Sequence, residues 1–254
     1  MSERPKITIP DAGMLGTART RRDILKLMAM GGALVLLPTA ISACSNDDDP
    51  VGPGTGTTPG SGNALTIDFA KGDVAVLQFA YALEQLEADF YTRVVNAFGS
   101  STLTAAEKTI LQDIKYHEVL HREFLKAALG TTNGFTITPT YGTLNFSDRV
   151  SVLTTARTFE DLGVGAYNGA GQYLTDANNL LLAGKIVSVE ARHASVIRGL
   201  LSPGTGDFAP NAFDDVKRPG TVATTAQSFV VDKLGFANAP TTFATGPGAN
   251  NTTG

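Results

Sequence analysis

Two of the three histidines in this 254-residue chain follow a glutamate by three positions, as Glu118-Val119-Leu120-His121 and Glu190-Ala191-Arg192-His193. On a helix that spacing puts both side chains on one face. Two more glutamates each precede a tyrosine by seven residues, Glu84 before Tyr91 and Glu160 before Tyr167. Seven residues is two helical turns, so each tyrosine is expected over the face of its own glutamate. In chain order the chemistry reads Glu, Glu-x-x-His, Glu, Glu-x-x-His, an approximate two-fold repeat between the halves. Such a set suits two divalent ions, Fe or Mn. Four carboxylates neutralise them, two imidazoles add borderline nitrogen ligands, and glutamates can bridge both metals while leaving positions open for O2 or peroxide. With one cysteine in the chain, an intramolecular disulfide and a site of several thiolates are both excluded, so a metal must sit on nitrogen and oxygen.

Four amphipathic helices are expected to carry these groups. Over about 68 to 98, Leu77, Ala80, Tyr81, Glu84, Ala88, Tyr91 and Val95 recur at three- and four-residue steps with no proline between them. Thr104 and Glu107 have the spacing of a capping box, and Ile110, Ile114, Leu120, Phe124 and Leu125 continue a second helix to about 129, before Gly130. Residues 131 to 145 hold Gly134, Pro139 and Gly142 and read as a crossover loop with room for a short extended piece. Ser147 is the expected N-cap of a third helix over about 148 to 174, along Val152, Ala156, Phe159, Val164 and Tyr167. A fourth, over about 176 to 201, is closed by Ser202-Pro203-Gly204. The fold class is therefore all-α: a four-helix bundle over 65–202, in two antiparallel pairs with one long crossover. An irregular extension over 203–240, with a short helix within 225–234, is expected to lie on the bundle, and 241–254 to be a disordered tail.

Each piece alone has a plainer reading. A lone Glu-x-x-His is usually a solvated pair, and a lone glutamate on an apolar stripe is often the ion-pair partner of a buried arginine. The metal reading rests on the joint placement: pairs on the second and fourth helices, single glutamates centred in the first and third. On the first helix Glu87 lies one turn from Glu84 and competes with it; Glu84 is preferred because its step to Tyr91 repeats that of Glu160 to Tyr167. His117 is read first as an interface residue, then as a donor behind the ligands or a third nitrogen ligand. Tyr91 and Tyr167 read as core aromatics whose hydroxyls can also serve the ligand carboxylates. Arg192 and Arg198 are expected to pair with acids on neighbouring helices. Gly163, Gly165, Gly169 and Gly171 imply either close packing or a path for substrate beside Glu160.

The segments 82–91 (ALEQLEADFY), 159–170 (FEDLGVGAYNGA) and 189–198 (VEARHASVIR) resemble the ferritin-like domain of desiccation-related proteins, a similarity spanning about 65 to 235. That resemblance implies a ferritin-like four-helix bundle and a dimetal carboxylate site, with Glu84, Glu118, His121, Glu160, Glu190 and His193 as ligands. It leaves the reaction open, since ferritin-like bundles carry out ferroxidase, catalase and hydroxylation chemistry.

Ahead of the bundle, residues 1–43 read as an export signal. Arg21-Arg22 precede the apolar run 27–37 and resemble the twin-arginine motif of bacterial export, while the run is shorter than the ~20 residues a membrane span needs. Ile41-Ser42-Ala43-Cys44 resembles a lipobox, which makes Cys44 the expected site of lipidation and the membrane the partner of that lipid. Removing 1–43 leaves 14 basic and 21 acidic residues, a net charge of −7 against −4 for the whole chain. That balance, without a basic block, argues against nucleic acid as a partner. Residues 44–64 are rich in Gly, Pro, Ser and Thr and read as a flexible tether. The expected location is the bacterial cell envelope, lipid-anchored and facing the periplasm or the surface; the oligomeric state is not indicated. Three functions remain: a dimetal oxidoreductase acting on O2 or peroxide, a metal-binding module without turnover, and a stress-protective structural lipoprotein. The last ranks lowest because four buried glutamates without metal repel one another.

Overall fold

The computed structural model describes residues 64–242. The expected export signal, Cys44, the tether up to residue 63 and residues 243–254 of the expected tail lie outside the described residues. Four long helices follow a short strand and a 3-10 turn. They are α1 (Asp73–Asn96), α2 (Ala105–Asn133), α3 (Arg149–Ala170) and α4 (Ala177–Leu201). α1 packs mainly on α2, and α3 on α4. Asp73, at the start of α1, accepts hydrogen bonds from Thr175 N, Thr175 Oγ1, Asp176 N and Asn179 Nδ2 at the start of α4. At the other end, Thr102 N beyond α1 donates to Ser147 O just before α3. So α1 and α4 run one way and α2 and α3 the other. No helix among the described residues is long and apolar enough to cross a membrane.

Local chemistry explains most helix ends. Thr104 and Glu107 form the reciprocal capping box, with Glu107 N to Thr104 Oγ1 at 3.3 Å and Thr104 N to Glu107 Oε2 at 2.8 Å. The second helix runs past the expected stop: Gly130 adopts φ 61° and the chain resumes helical hydrogen bonding to Asn133. The N-cap of α3 is Asp148 rather than Ser147. Its carboxylate accepts from Ser151 N at 2.7 Å, where the helix dipole also favours a negative charge, while the Ser147 hydroxyl meets Ser100 Oγ. The crossover passes along α1 instead of forming a free loop. Gln85 Oε1 accepts from Ile137 N, Tyr141 OH donates to Leu86 O, and Pro139 bridges to Val230.

The extension after α4 is more regular than the sequence suggests. Its helix, α5 (Pro219–Ala226), begins six residues earlier than the expected window, with Pro219 in the first turn where no N–H is needed. Then β2 (Lys233–Ala237) pairs in parallel with β1 (Ala64–Asp68), from Ala64 opposite Lys233 to Asp68 opposite Ala237. Both strands lie outside any periodic pattern long enough to announce them. Two apolar layers fill the bundle. One, around Phe90, Leu111, Leu153 and Phe159, lies toward the C-terminal end of α1. The other, around Phe79, Leu83, Leu162 and Val222, lies toward its start.

The helix-α3 glycines answer to the strap that precedes α5. Lys217 N donates to Gly165 O at 2.9 Å and Asn168 Nδ2 to Asp215 O at 3.1 Å. A Cβ on Gly169 would stand 1.8 Å from Lys217 O, and one on Gly165 would stand 2.8 Å from the Lys217 side chain. Close approach of backbone to backbone thus requires Gly169. Gly169→Ala is expected to expel the strap and destabilise the chain by about 1–3 kcal/mol, read by thermal melting and by proteolysis within 203–218. Gly171→Ala, whose Cβ would meet Leu180 at an ordinary 3.9 Å, should melt like wild type. Equal melting of the two variants would refute this account of the groove.

Candidate metal centre

The four helices deliver their polar groups to one level of the bundle. Glu84 comes from α1, Glu118 and His121 from α2, Glu160 from α3, and Glu190 and His193 from α4. All four carboxylates are completely buried. His121 Nδ1 lies 2.9 Å from Glu190 Oε1, 3.4 Å from Glu118 Oε2 and 3.5 Å from Glu84 Oε2. His193 Nδ1 lies 2.8 Å from Glu118 Oε1, 3.4 Å from Glu160 Oε2 and 3.7 Å from Glu190 Oε2. These atoms form two sets of four, each within a 4.8 Å span: Glu84, Glu118, His121 and Glu190, and Glu118, Glu160, Glu190 and His193. Glu118 and Glu190 belong to both sets, giving one oxygen to each. The other carboxylates and the histidines belong to one set apiece.

None of these eight buried atoms has a partner in hydrogen-bond geometry, although each of the six oxygens lies within ion-pair distance of a histidine Nδ1. Buried polar atoms are almost always satisfied. One imidazole N–H cannot aim at three oxygens, so the arrangement converges on a point between the atoms rather than on any one of them. Two carboxylates shared between two clusters, each completed by one carboxylate and one imidazole, fit a pair of divalent cations in charge and donor type.

The remaining carboxylate oxygens are held by the tyrosines, with exchanged partners. Tyr91 OH donates to Glu160 Oε1 in a very short hydrogen bond, and Tyr167 OH donates to Glu84 Oε1 at 2.5 Å. Each tyrosine thus shares the buried face of its own glutamate, as the spacing implies, but gives its hydroxyl to the glutamate of the opposite helix. Seven residues separate the pair by about 10 Å along one axis, too far for a hydroxyl to reach back. Because α1 and α3 run antiparallel, the same step brings each tyrosine level with the other helix's glutamate.

His117, read first as an interface residue, meets His193. Its Nδ1 lies 2.9 Å from His193 Nε2, and the rings stack 5.2 Å apart at 8°. This fixes the His193 ring so that Nδ1 faces the carboxylates. Glu87 lies outside both clusters, and a Cβ on Gly163 would come within 3.2 Å of its Oε1. Of the first-helix glutamates it is Glu84 that the fold brings to the centre. Arg198 pairs with Asp161 at 2.8 Å as expected, whereas Arg192 is exposed and makes no ion pair among the described residues. The exchange of tyrosines and the partner of His117, for which the sequence offers a donor role without saying to what, both depend on contact between helices far apart in the chain.

Burial and charge oppose each other here. Burial disfavours the imidazolium of His121, but Glu118, Glu190 and Glu84 overcome it and push its pKa up to about 12. Burial likewise works against charge on His193, and Glu118, Glu160 and Glu190 raise its pKa strongly. Of the two shared carboxylates, burial and the neighbouring Glu190 keep Glu118 protonated well above the usual range. Glu190 is also buried, yet the close approach of both histidines brings it down to about 2. Burial raises Glu160 to about 7 against the pull of His193. Glu87 is raised by burial and then by Glu190. His117 is lowered by burial and by the charge of His193.

A family model described as a ferritin-like domain matches residues 72–203, more than half of the chain. Comparison with curated proteins returns no match.

The directions of these shifts set opposite pH responses with and without metal. The raised His121 contributes stability in full below its unfolded pKa near 6.5, lost as pH climbs toward about 12. The raised Glu118 and Glu160 act in the same sense, their contributions eroding above the ordinary carboxyl value. Glu190 acts oppositely, but its loss falls below pH 4.5, as pH descends toward about 2. With chelator, the melting temperature should therefore fall as pH rises from about 5 to about 8. With saturating Mn(II) it should rise over the same window, because metal binding must displace the protons of both histidines and Glu118. Parallel pH curves in the two conditions would sink this account. His117→Ala is expected to weaken metal binding by about tenfold to a hundredfold, read by competition with a chelator, through loss of the His193 anchor.

Proposed function

This chain belongs to the ferritin-like domain family, and from that premise we propose that it is an exported, lipid-anchored protein whose centre holds two Fe or Mn ions and reacts with O2 or peroxide. The single observation that carries the proposal is the division of eight buried, hydrogen-bond-free atoms into two sets of four that share Glu118 and Glu190. Glu84, Glu118, His121 and Glu190 would hold one ion, and Glu118, Glu160, Glu190 and His193 the other. Such a pair supplies open coordination positions and electrons to an oxidant.

The chain's own groups do the rest. Tyr91 and Tyr167 each hold one oxygen of Glu160 and Glu84, so that the other oxygen of each carboxylate points inward. His117 fixes the ring of His193. The apolar layers on both sides of the carboxylates keep bulk water out, and the opening to solvent lies on the histidine side, where the His121 side chain is 14% exposed. Arg21-Arg22 and the sequence ending at Cys44 support export and attachment to the bacterial envelope, and the three quoted segments support kinship with desiccation-related proteins.

Elemental analysis of the chain purified without chelator tests the reading, alongside a Glu118→Ala, His121→Ala double variant. Two Fe or Mn per wild-type chain, lost in the variant, are expected, with oxidation of the loaded Fe(II) form by O2 or peroxide. Two metals without reaction toward either oxidant would indicate a metal-binding protein without turnover. Metal absent from wild type even after anaerobic reconstitution would overturn the proposal and leave a structural lipoprotein. Intact mass of the exported protein should show a lipid that Cys44→Ser abolishes.

A further inference from the structure

A partly open apolar pocket lies between the helices next to the centre. Its volume is about 50 Å³, and all four long helices line it. The alignment with the centre is regular. Ala80 stands four residues before Glu84, Leu125 four after His121 and Ile186 four before Glu190, so each wall lies one helical turn, about 5–6 Å, from a group of the metal cluster. Tyr167 completes the shared wall, with its ring in the cavity lining and its hydroxyl on Glu84.

The lining is almost wholly apolar, and its polar groups are engaged elsewhere. The Tyr167 hydroxyl is given to Glu84, and the Asn179 amide nitrogen to Asp73 at 2.9 Å. A water molecule needs two to four polar partners, and an apolar cavity without them stays dry. Hydrogen peroxide has the same need. The volume is about a third of the roughly 150 Å³ that accepts benzene in an engineered cavity, too little to enclose an aromatic ring. At the rim, Phe124 is 41% exposed and gives an apolar approach from solvent.

We infer that this cavity is a holding site for dioxygen beside the metal cluster, and that O2 rather than peroxide is the oxidant the fold is built to receive. The inference rests on the dimetal reading for its chemistry, but the cavity itself can be tested without metal. O2 is small, apolar and unable to use hydrogen-bond donors, so it partitions into an apolar pocket that offers water and peroxide no partners. One turn of helix then separates it from Glu84, His121 and Glu190.

Xenon is the probe, since it shares the size class and apolarity of O2. The full chain, free of metal, is examined by xenon NMR and in xenon-pressurised crystals, together with Ala183→Leu, whose added side chain fills the cavity from α4. Ala170→Val, on the opposite wall, guards against a folding failure of the first variant. Xenon is expected in the wild-type cavity and bound about tenfold more weakly in the variants. After Fe(II) loading, oxidation by O2 should slow in the variants while oxidation by hydrogen peroxide keeps its wild-type rate. Absence of xenon from the wild-type cavity overturns the inference, as does equal slowing toward both oxidants. A wild-type chain that takes up xenon but binds no Fe(II) overturns the dimetal reading instead, and supports the cavity as a site for apolar gas.

Discussion

Four carboxylates that are completely buried at one level of a helical bundle are the constraint to which the rest of the structure answers. An isolated carboxylate in an apolar interior is costly, and four together repel one another as well. The protein's own compensation is two histidines, one near each end of the cluster, and two tyrosine hydroxyls. Burial and the neighbouring Glu190 still hold the pKa of Glu118 well above its ordinary value, and the carboxylates strongly favour both imidazoles as cations. The same inventory, with the histidines and Glu118 relieved of their protons, has the charge and donor types for two divalent cations. Folding and metal binding therefore draw on one set of groups, and the cluster cannot be neutral in both roles at the same protonation.

Holding such a set to within a fraction of an ångström requires every helix to be located from both ends. Asp73 ties the starts of α1 and α4 together, and the contact of Thr102 with Ser147 ties the turn after α1 to the start of α3. The crossover is pinned along α1 by Gln85 and Tyr141. Strap, α5 and β2 close the far face, with Lys217 pressed into the groove that Gly165 and Gly169 leave open. Between these anchors the antiparallel run of α1 and α3 produces the reciprocal pairs Tyr91 with Glu160 and Tyr167 with Glu84. An approximate two-fold relation between the halves of the chain is thereby converted into a near-symmetric pair of clusters.

The two sides of the centre differ in character. On one, His117 and His121 lie near solvent and offer polar groups to whatever approaches. On the other, beneath Tyr167, apolar side chains from all four helices line a pocket. The centre thus lies between a polar side and an apolar one.

Short-range patterns along the chain fix the helices, their order and the groups that meet at the centre. Periodicity, the Thr104 capping box and the Glu-x-x-His steps act within a few residues, so each can be read from a short window. The position of Glu84 at the level of the other carboxylates was legible for the same reason, since the seven-residue step repeats in both halves. What lay beyond the sequence involved partners far apart in the chain. The exchange of tyrosines depends on the antiparallel level of α1 and α3, and the bond of His117 to His193 on how α2 faces α4. The pairing of β1 with β2 joins segments at opposite ends of the domain, each five residues long and without a period of its own. Even the cap of α3 was decided by packing: with the Ser147 hydroxyl taken by Ser100, the helix dipole fell to the carboxylate of Asp148. Tertiary structure decides these points because a hydrogen bond or a cavity wall depends on distances of a few ångströms between helices, and local spacing carries no information about them.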